Sequence, residues 1–419
     1  MRVAIVGAGY SGTIAAVEIA RAAPGAAIVL IEKSGHFAKG AAYGTTSPGH
    51  LLNVRARNMS ALAAEPMHFA DWAVGEGYGP DDYVPRRDYR RYLAALLDSA
   101  PGVTRLTGEA VAVEDEGVRL ASGELVRCEA AVIAGGNYPS RLPAAFGGRV
   151  VQDPWSADGM AAVAEAATRG RDLLLVGTGL TMVDMAVGLE ESGFSGRILA
   201  ASRRGLVPRA HLSPAAEPLA WDPPARLDAL IRAVRAREPW RAAVDGLRPH
   251  SIALWKGLSE SEQRRFLRHL RPWWDVHRHR IAPRVAARIE AMRASGRLEI
   301  AAARIARVEG ETVTLGRRGG GELRRRFDAV INCTGPEGSI ERIADPLIRN
   351  LLESGRARPD RLGLGFDVDG DSRLAGTGPS PALYALGPLT KGVFWEIVAV
   401  PDIRGQAKGV AEAVGRLRS

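Results

Sequence analysis

Cysteine is nearly absent from this 419-residue chain, which holds only Cys128 and Cys333. There is no Cys-x-x-Cys pair, and each thiol lies in an apolar run, "VRCEAAVIAGG" and "FDAVINCTGP". Both are expected as buried core residues rather than as a redox centre. Lysine is scarce as well: Lys33, Lys39, Lys256, Lys391 and Lys408 are the only ones among 56 cationic side chains. The arginines that make up the rest are scattered, with short clusters such as Arg324–Arg326. A formal charge of +9 spread this way argues against a nucleic-acid surface, which concentrates charge on one face. It reads as composition plus some attraction for anionic cofactors. No apolar run reaches the roughly 20 residues that span a bilayer, so no membrane association is expected. The opening "MRVAIVGAG" enters a strand at once, which leaves no room for a signal peptide and predicts a cytoplasmic location. The eight histidines are dispersed and lack acidic neighbours at ligand spacing. His277 and His279 fall on different helix faces, and no metal centre is predicted. At 44.6 kDa, with 46% hydrophobic and 25% charged residues, the chain reads as a soluble globular protein of two or three domains.

What is present is a nucleotide-binding turn, twice. In "VAIVGAGYSGTIAAVEIA" a buried strand meets Gly7, Gly9 and Gly12 in G-x-G-x-x-G spacing before a helix. The first glycine permits the tight turn, the second lets a pyrophosphate approach the backbone, and the third allows close helix–strand packing. The helix N-terminus offers free amides to the phosphates. The next strand, "AAIVLIE", ends at Glu32, placed to hydrogen-bond a ribose diol of an unphosphorylated adenine dinucleotide. The second turn, "LLLVGTGLTMVDMAVGL", keeps Gly177 and Gly179 but has Met182 in place of the third glycine. Where an NAD site carries an acid, this turn is followed by "SRRG", with Arg203 and Arg204. Guanidinium groups there favour the 2′-phosphate of NADPH over NADH; solvated arginines beside a vestigial turn are the alternative. Two such turns suit a flavin held permanently and a pyridine nucleotide that visits to reduce it.

The expected fold class is α/β, with two Rossmann-like dinucleotide-binding domains, the second inserted in the first, and a helical extension. Residues 1–150 are assigned to the first part of an FAD-binding domain. Residues 151–300 form the inserted NADP-binding domain, whose region 216–298 is helical and carries tryptophans at 221, 240, 255, 273 and 274. Residues 301–419 complete the FAD-binding domain, with strands at 311–315 and 327–333 and a tail of strand, loop and closing helix.

The residue patterns resemble bacterial FAD/NAD(P)-binding proteins related to class B flavin monooxygenases and lysine/ornithine N-hydroxylases. The resemblance covers almost the whole chain. It rests on "GAGYSG", "GAAYGT" with "HLLNVRARNMSA", "VPRRDYRRYL", "VGTGLTMVDMAV", "SRRGLVPRAH", "WWDVHRHRIAP", "NCTGP" and "LYALGPLTKGVFWEIVAVPDIRGQA". It implies that Gly7, Gly9, Gly12 and Glu32 hold FAD and that Gly177, Gly179 and Arg203 lie beside NADP. It also implies that Thr334 and Gly335 belong to the strand–turn linking the domains, with Asn332–Cys333 replacing the usual small apolar residues. Gly387–Pro388 stands where disulfide reductases carry a ribityl-binding Gly-Asp, which together with the missing dithiol argues against that chemistry.

Three further groups are candidates. In the loop 40–60, Asn53 is expected to donate to the flavin adduct or the nicotinamide amide, and His50 to move a proton near neutral pH. Loop capping or core packing is the alternative for each. Arg86 or Arg87, before a helix, is expected at a phosphate. His277 with Arg280, and Arg284 with Arg288, share helix faces that fit either an anion or a salt-bridged contact with Asp275. In the tail, Trp395 is read as a pocket wall, near Lys391 and Glu396. The helix after Pro401 would turn its first amides toward the flavin, with Asp402 either near the cofactor or an ordinary first-turn residue. The leading functional expectation is an NADPH-using monooxygenase that oxygenates a small metabolite with molecular oxygen through a C4a-(hydro)peroxyflavin. A flavin-dependent dehydrogenase or reductase and a flavin-binding protein with little catalysis stay open, as does a homodimeric assembly.

Overall fold

The computed structural model describes residues 1–376 and 381–417. The first apolar run builds strand β1 (Arg2–Val6), helix α1 (Tyr10–Ala22) and strand β2 (Ala27–Glu32). Helices α2 (His68–Gly75) and α3 (Arg86–Asp98) follow, and Pro85 stands at the N-cap of α3. Strand β3 (Val103–Thr107) then leads to an antiparallel ribbon of β4 (Ala110–Glu114), β5 (Gly117–Leu120) and β6 (Leu125–Arg127), and β7 (Ala130–Ile133) re-enters the core. The next stretch holds β8 (Val150–Val151), α4 (Ala157–Thr168), β9 (Leu173–Val176), α5 (Leu180–Glu191) and β10 (Ile198–Ser202). A helical run comes after it: α6 (Leu227–Arg235), α7 (Trp240–Gly246), α8 (Ser251–Gly257), α9 (Glu260–Arg265), α10 (Arg271–Arg278) and α11 (Pro283–Ala294). Strands β11 (Leu298–Glu309), β12 (Thr312–Arg317), β13 (Glu322–Arg326) and β14 (Ala329–Asn332) precede α12 (Pro346–Glu353), β15 (Ala382–Ala385) and α13 (Val400–Arg416).

Two sheets organise these elements. The first runs β15-β7-β1-β2-β3, parallel throughout, and the second runs β13-β12-β11-β10-β9-β14-β8. Strands of a parallel sheet covered on both faces read as continuous apolar runs, and β7, β9 and β15 are buried at every position. Helix α1 packs between the first sheet and α13. Ile14 and Ile19 on one side and Ala407 and Val414 on the other are fully buried, and each large aliphatic contributes about 1.5–3 kcal/mol.

The chain leaves the first sheet after β7 and rejoins it at β15. The two crossings run side by side: Pro139 bridges Pro336, and Ser140 Oγ meets Thr334 Oγ1 at 2.6 Å. Buried Asn332 ties them by donating from Nδ2 to the carbonyls of Ser140 (2.8 Å) and Gln152 (3.1 Å). A small apolar residue at 332 would leave those carbonyls unpaired, which explains the amide found there.

One boundary differs from the expectation. The strands at 311–315 and 327–333, expected in the completing segments, pair within the second sheet, whose last strand in the chain ends at Asn332. The reason is β11, whose first half lies parallel to β10 and whose second half turns antiparallel to β12. One strand thereby carries a hairpin on the edge of the second sheet.

Candidate functional site

At the first turn, Gly7 has φ +96°, and a Cβ there would lie 2.5 Å from the Ala134 carbonyl oxygen. A Cβ on Gly12 would lie 1.8 Å from the carbonyl oxygen of Gly7. Only glycine permits this closeness of β1, β7 and α1. Gly9 caps α1 without a side-chain acceptor, and the first turn holds no acid. The leading amides are left to an anion. Glu32 closes the turn at the end of β2: its carboxylate accepts from Ala8 N (2.9 Å), Ser34 N (3.0 Å) and Ser34 Oγ (2.8 Å). Backbone encloses the rest. Gly40, at φ +54°, passes so close that a Cβ on Gly9 would be 3.4 Å from its Cα. Gly387 lies against Ser11, and its N–H donates to Gln406 Oε1 at 2.8 Å. Beneath the turn, Tyr10, Tyr43 and Tyr89 pack ring against ring, and burial pushes each phenol above its ordinary range. Gly40 and Tyr43 both lie in "GAAYGT" and have no role among the expected site residues. Glycine and tyrosine within one loop after a Rossmann strand were the signal.

The second turn repeats the plan in a looser form. Gly177, at φ +117°, packs on the Cys333 carbonyl as Gly7 packs on Ala134. Met182 is fully buried and fills the space that Gly12 leaves for backbone in the first turn. Gly179 is exposed, caps α5 without a side-chain acceptor, and has no atom within 4 Å of a built Cβ. Ser202 stands where Glu32 stands in the first turn, hydrogen-bonded to Thr178 Oγ1 at 2.8 Å. Arg203 is exposed and Arg204 half-buried, and neither pairs with a carboxylate among the described residues. Free donors at the helix start, a glycine open to solvent and two unpaired guanidinium groups fit a phosphorylated nucleotide.

The loop 45–55 joins the two units, and here the structure departs from the expected roles. His50 is buried; its Nε2 donates to the Asp184 carbonyl (2.8 Å) and its Nδ1 meets Thr45 Oγ1 at 2.6 Å. Both ring nitrogens are engaged, so proton transfer to a ligand has no free atom to use. Burial lowers its pKa and keeps it neutral. Arg86, expected at a phosphate, instead bridges Asp184 of α5 at 2.9 Å, with both side chains about nine-tenths buried. Arg87 is exposed and donates to the Thr46 carbonyl. Asn53 is half-buried, and its carbonyl accepts from His211 Nε2 at 2.9 Å. Burial holds that histidine down at about 4. The carboxamide of Asn53 has no partner among the described residues and stays available. Asp184, unassigned from sequence, is the hub of this joint. Arg288 reaches Glu190 and Glu191 (2.7 and 2.8 Å), and Glu191 accepts from Ser47 of the loop.

The helical run closes over the tail. Trp395 stacks on Trp255 with ring centroids 4.7 Å apart, and Trp255 Nε1 donates to the Gly392 carbonyl at 2.7 Å. Trp395, expected as a pocket wall, lies buried in a core cluster with Leu227, Trp255 and Leu258. Asp402 sits in the first turn of α13, where Ala399 is the N-cap. It faces Arg248 at 3.4 Å, not the first nucleotide turn, and burial raises its pKa. Arg280 pairs with Asp245, and Asp275 pairs with Arg271 at 3.5 Å. Arg284 lies in α11 with Arg288. Both thiols are buried and raised by desolvation, Cys128 to about 11 and Cys333 beyond that. They stay protonated near neutrality. Among the described residues no cluster of histidine, cysteine and acids has metal-site geometry, and no helix is long and apolar enough to cross a membrane.

Residues 4–138 match the family model NAD_binding_9, described as FAD-NAD(P)-binding. The match supports FAD and NAD(P)H as the cofactors of this chain. No curated protein sequence matches it. Among solved structures, ornithine hydroxylase from Pseudomonas aeruginosa is similar with TM-score 0.66 and 18% identity, covering 100% of this chain and 99% of that one. L-lysine 6-monooxygenase from Pseudomonas syringae gives 0.66 at 14% identity, with the same coverage of 100% and 99%. Thioredoxin reductase from Lactococcus lactis gives 0.55 at 15% identity, covering 99% and 98%. At these identities the likeness is one of fold, and it extends over both sheets. In fold the chain thus resembles these hydroxylases and, less closely, the reductase.

Proposed function

We propose that the chain is an FAD-dependent, NADPH-oxidising monooxygenase acting on a small metabolite, with FAD in the first turn and NADPH in the second. The observation that carries this reading is the contrast between the turns. The first is enclosed by Gly40 and Gly387 and ends in a carboxylate; the second opens to solvent and ends in two unpaired arginines. Enclosure suits a cofactor that stays, and openness suits one that exchanges. When bound, FAD supplies hydride acceptance from NADPH and the reaction of its reduced ring with oxygen.

The chain's own residues do the rest. Glu32 orients a ribose through the oxygen lone pairs that Ala8 and Ser34 leave unused, and the α1 amides neutralise a pyrophosphate. Arg203 and Arg204 select the 2′-phosphate, and Asn53 offers an amide at the joint to a nicotinamide or a substrate. The Arg86–Asp184 bridge holds the second turn at a fixed place relative to the first, as hydride transfer requires. Two buried, protonated thiols without a partner sulfur favour oxygen over a disulfide as acceptor.

The purified protein should carry one FAD per chain, and NADPH should reduce it. In air, one oxygen should disappear per NADPH, with an oxygenated product in place of hydrogen peroxide when a substrate is supplied. Rapid turnover with a quinone or dye and none with oxygen would replace this reading with a dehydrogenase. Failure of NADPH to reduce the bound FAD would leave a flavin-binding protein without this catalysis.

A further inference from the structure

The segment that leaves the second turn runs into a surface patch of arginines with too few acids. Residues 209–211 lie extended beside 280–282. Ala210 pairs with Ile281 in a parallel bridge, Arg209 N donates to the Val276 carbonyl, and Ile281 N donates to the Arg209 carbonyl, both at 2.9 Å. Side chains alternate along extended chain, so Arg209 and His211 share one face, and Arg280, beside Arg209 in this register, shares it with them. Ile281 takes the other face, in the second core. Helix α7 adds Arg241, whose Nε and Nη2 donate to the Ala210 carbonyl at 3.3 and 3.1 Å. Trp240 lies among these cations, its ring centre 4.2 Å from the Arg241 guanidinium carbon and 6.0 Å from that of Arg280. Against three guanidinium groups stands one carboxylate: Asp245, also on α7, pairs with Arg280. Arg280 is buried, and its Nε still has no acceptor. Arg209 is exposed and Arg241 half-buried, and neither reaches a carboxylate among the described residues. The neighbouring Arg55 is different, being neutralised by Asp81 at 2.9 Å. Burial, then Arg280 and Arg209, lower the Arg241 guanidinium below its usual range, with Asp245 alone opposing. The same face reaches the joint between the turns, where His211 Nε2 donates to the Asn53 carbonyl at 2.9 Å.

We propose, building on the oxidoreductase reading above, that Arg209, Arg241 and Arg280 bind a phosphate group of the substrate and set it beside Asn53. Asp245 offsets one of the three cations, and a phosphate monoester, at about −1.5 to −2 near pH 7, matches the two that remain. Its three terminal oxygens serve the planar forks of Arg209 and Arg241 and the Nε that Arg280 leaves unused. A carboxylate cancels only one charge and fits less well. Arg241 keeps its place without an acid, because the Trp240 face and the Ala210 carbonyl hold it. The site is therefore formed before its ligand arrives, which lowers the cost of binding. Arg203 and Arg204 lie earlier in the same segment, directly after β10, and are left to the 2′-phosphate of the nucleotide.

The test is calorimetric titration of the FAD-loaded protein with phenyl phosphate, benzoate and benzyl alcohol. Near neutral pH, phenyl phosphate should bind at least about tenfold more tightly than benzoate, with the alcohol weakest. Arg209→Ala should weaken phenyl phosphate by about tenfold, the value of one charge-assisted contact. Arg209→Glu should abolish its binding, and Arg209→Lys should keep most of it. Arg209 is exposed, so these variants should keep the thermal midpoint of the parent. Arg241→Met removes the second fork and should cost a similar factor. Equal affinity for the phosphate and the alcohol, or an Arg209→Glu variant that binds phenyl phosphate as the parent does, overturns the proposal. NADPH separates the two sources of phosphate. Its affinity should survive both Arg209→Ala and added phenyl phosphate, and a loss matching that of phenyl phosphate would make the patch part of the nucleotide site and reject the substrate assignment. Binding in the expected pattern without reduction of FAD by NADPH would keep the phosphate site and remove the oxidoreductase reading. NADPH oxidation by a protein that does not bind phenyl phosphate would do the reverse.

Discussion

The two glycine turns of this chain begin alike and end differently. Gly7 and Gly177 share a positive φ and pack on a carbonyl of the neighbouring strand, Ala134 in one case and Cys333 in the other. Beyond that point they diverge: Gly12 against Met182, Glu32 against Ser202, a second glycine covered by Gly40 against one with open space around it. The turn itself is set by the backbone geometry that any dinucleotide demands. The surroundings set how tightly the dinucleotide is kept and which one it is. That division can be broken experimentally at each level.

The largest effect should come from Gly12→Ala. Its Cβ would overlap the Gly7 carbonyl, which belongs to the turn backbone and has no flexible end to move aside. α1 must shift away from β1, and the protein should purify with little or no FAD, read from the ratio of flavin to protein absorbance. Retention of full flavin would show that this turn does not hold it. Met182→Gly in the second turn opens a cavity in the second core instead. It should destabilise the fold by about 2–5 kcal/mol while leaving flavin bound.

Next comes the joint between the turns. Arg86→Ala leaves the Asp184 carboxylate buried and unpaired, and removing one partner of such a bridge costs about 3–5 kcal/mol. A lowered thermal midpoint should come with slower reduction of FAD by NADPH, because the second turn is no longer fixed against the first. Replacing both residues with apolar ones should recover much of the stability without restoring the rate of reduction. Recovery of both would make the bridge a plain stabiliser.

Third, Arg203→Ala should weaken NADPH by about tenfold, the value of one charge-assisted contact to a phosphate, and leave NADH unchanged. The double variant with Arg204→Ala should bring the two nucleotides close to parity. Equal losses for both nucleotides would place these arginines away from the 2′-phosphate.

The sequence made the turns legible because glycine spacing, apolar strands and terminal residues all obey local rules. It showed much less of what lies between them. His50 and Arg86 carry the residue types of catalysis and phosphate binding, yet both are spent on Asp184, a residue 98 positions beyond Arg86 that only the folded chain brings near. The second sheet extends past 300 because "LEIAAARIARVE" is a strand despite its alanines and arginines, which favour helix when taken alone. Pairing with β10 and β12 decides it, and pairing is not a local property. Lys391 and Asp275 are likewise a tertiary acquaintance. One follows the last strand, the other sits on α10, and no periodicity joins them.

The smallest expected effect is also the one that most sharpens the contrast. Gly179→Ala adds a methyl at the helix start of the second turn, the position equivalent to Gly9. No atom lies within 4 Å of that methyl in the second turn, and the φ of Gly179 is −85°, which alanine adopts without strain. The variant should fold as well as the parent, keep its flavin, and change the thermal midpoint by about a degree at most. Only the approach of a bound pyrophosphate would be hindered, so NADPH should weaken by several-fold, less than for Arg203→Ala. The same change at Gly9 meets Gly40 at 3.4 Å, and should reduce flavin content as well. If Gly179→Ala left NADPH affinity untouched while Gly9→Ala lost flavin, the open turn would not be a nucleotide site, and the arginines after it would be the solvated pair that sequence alone allowed.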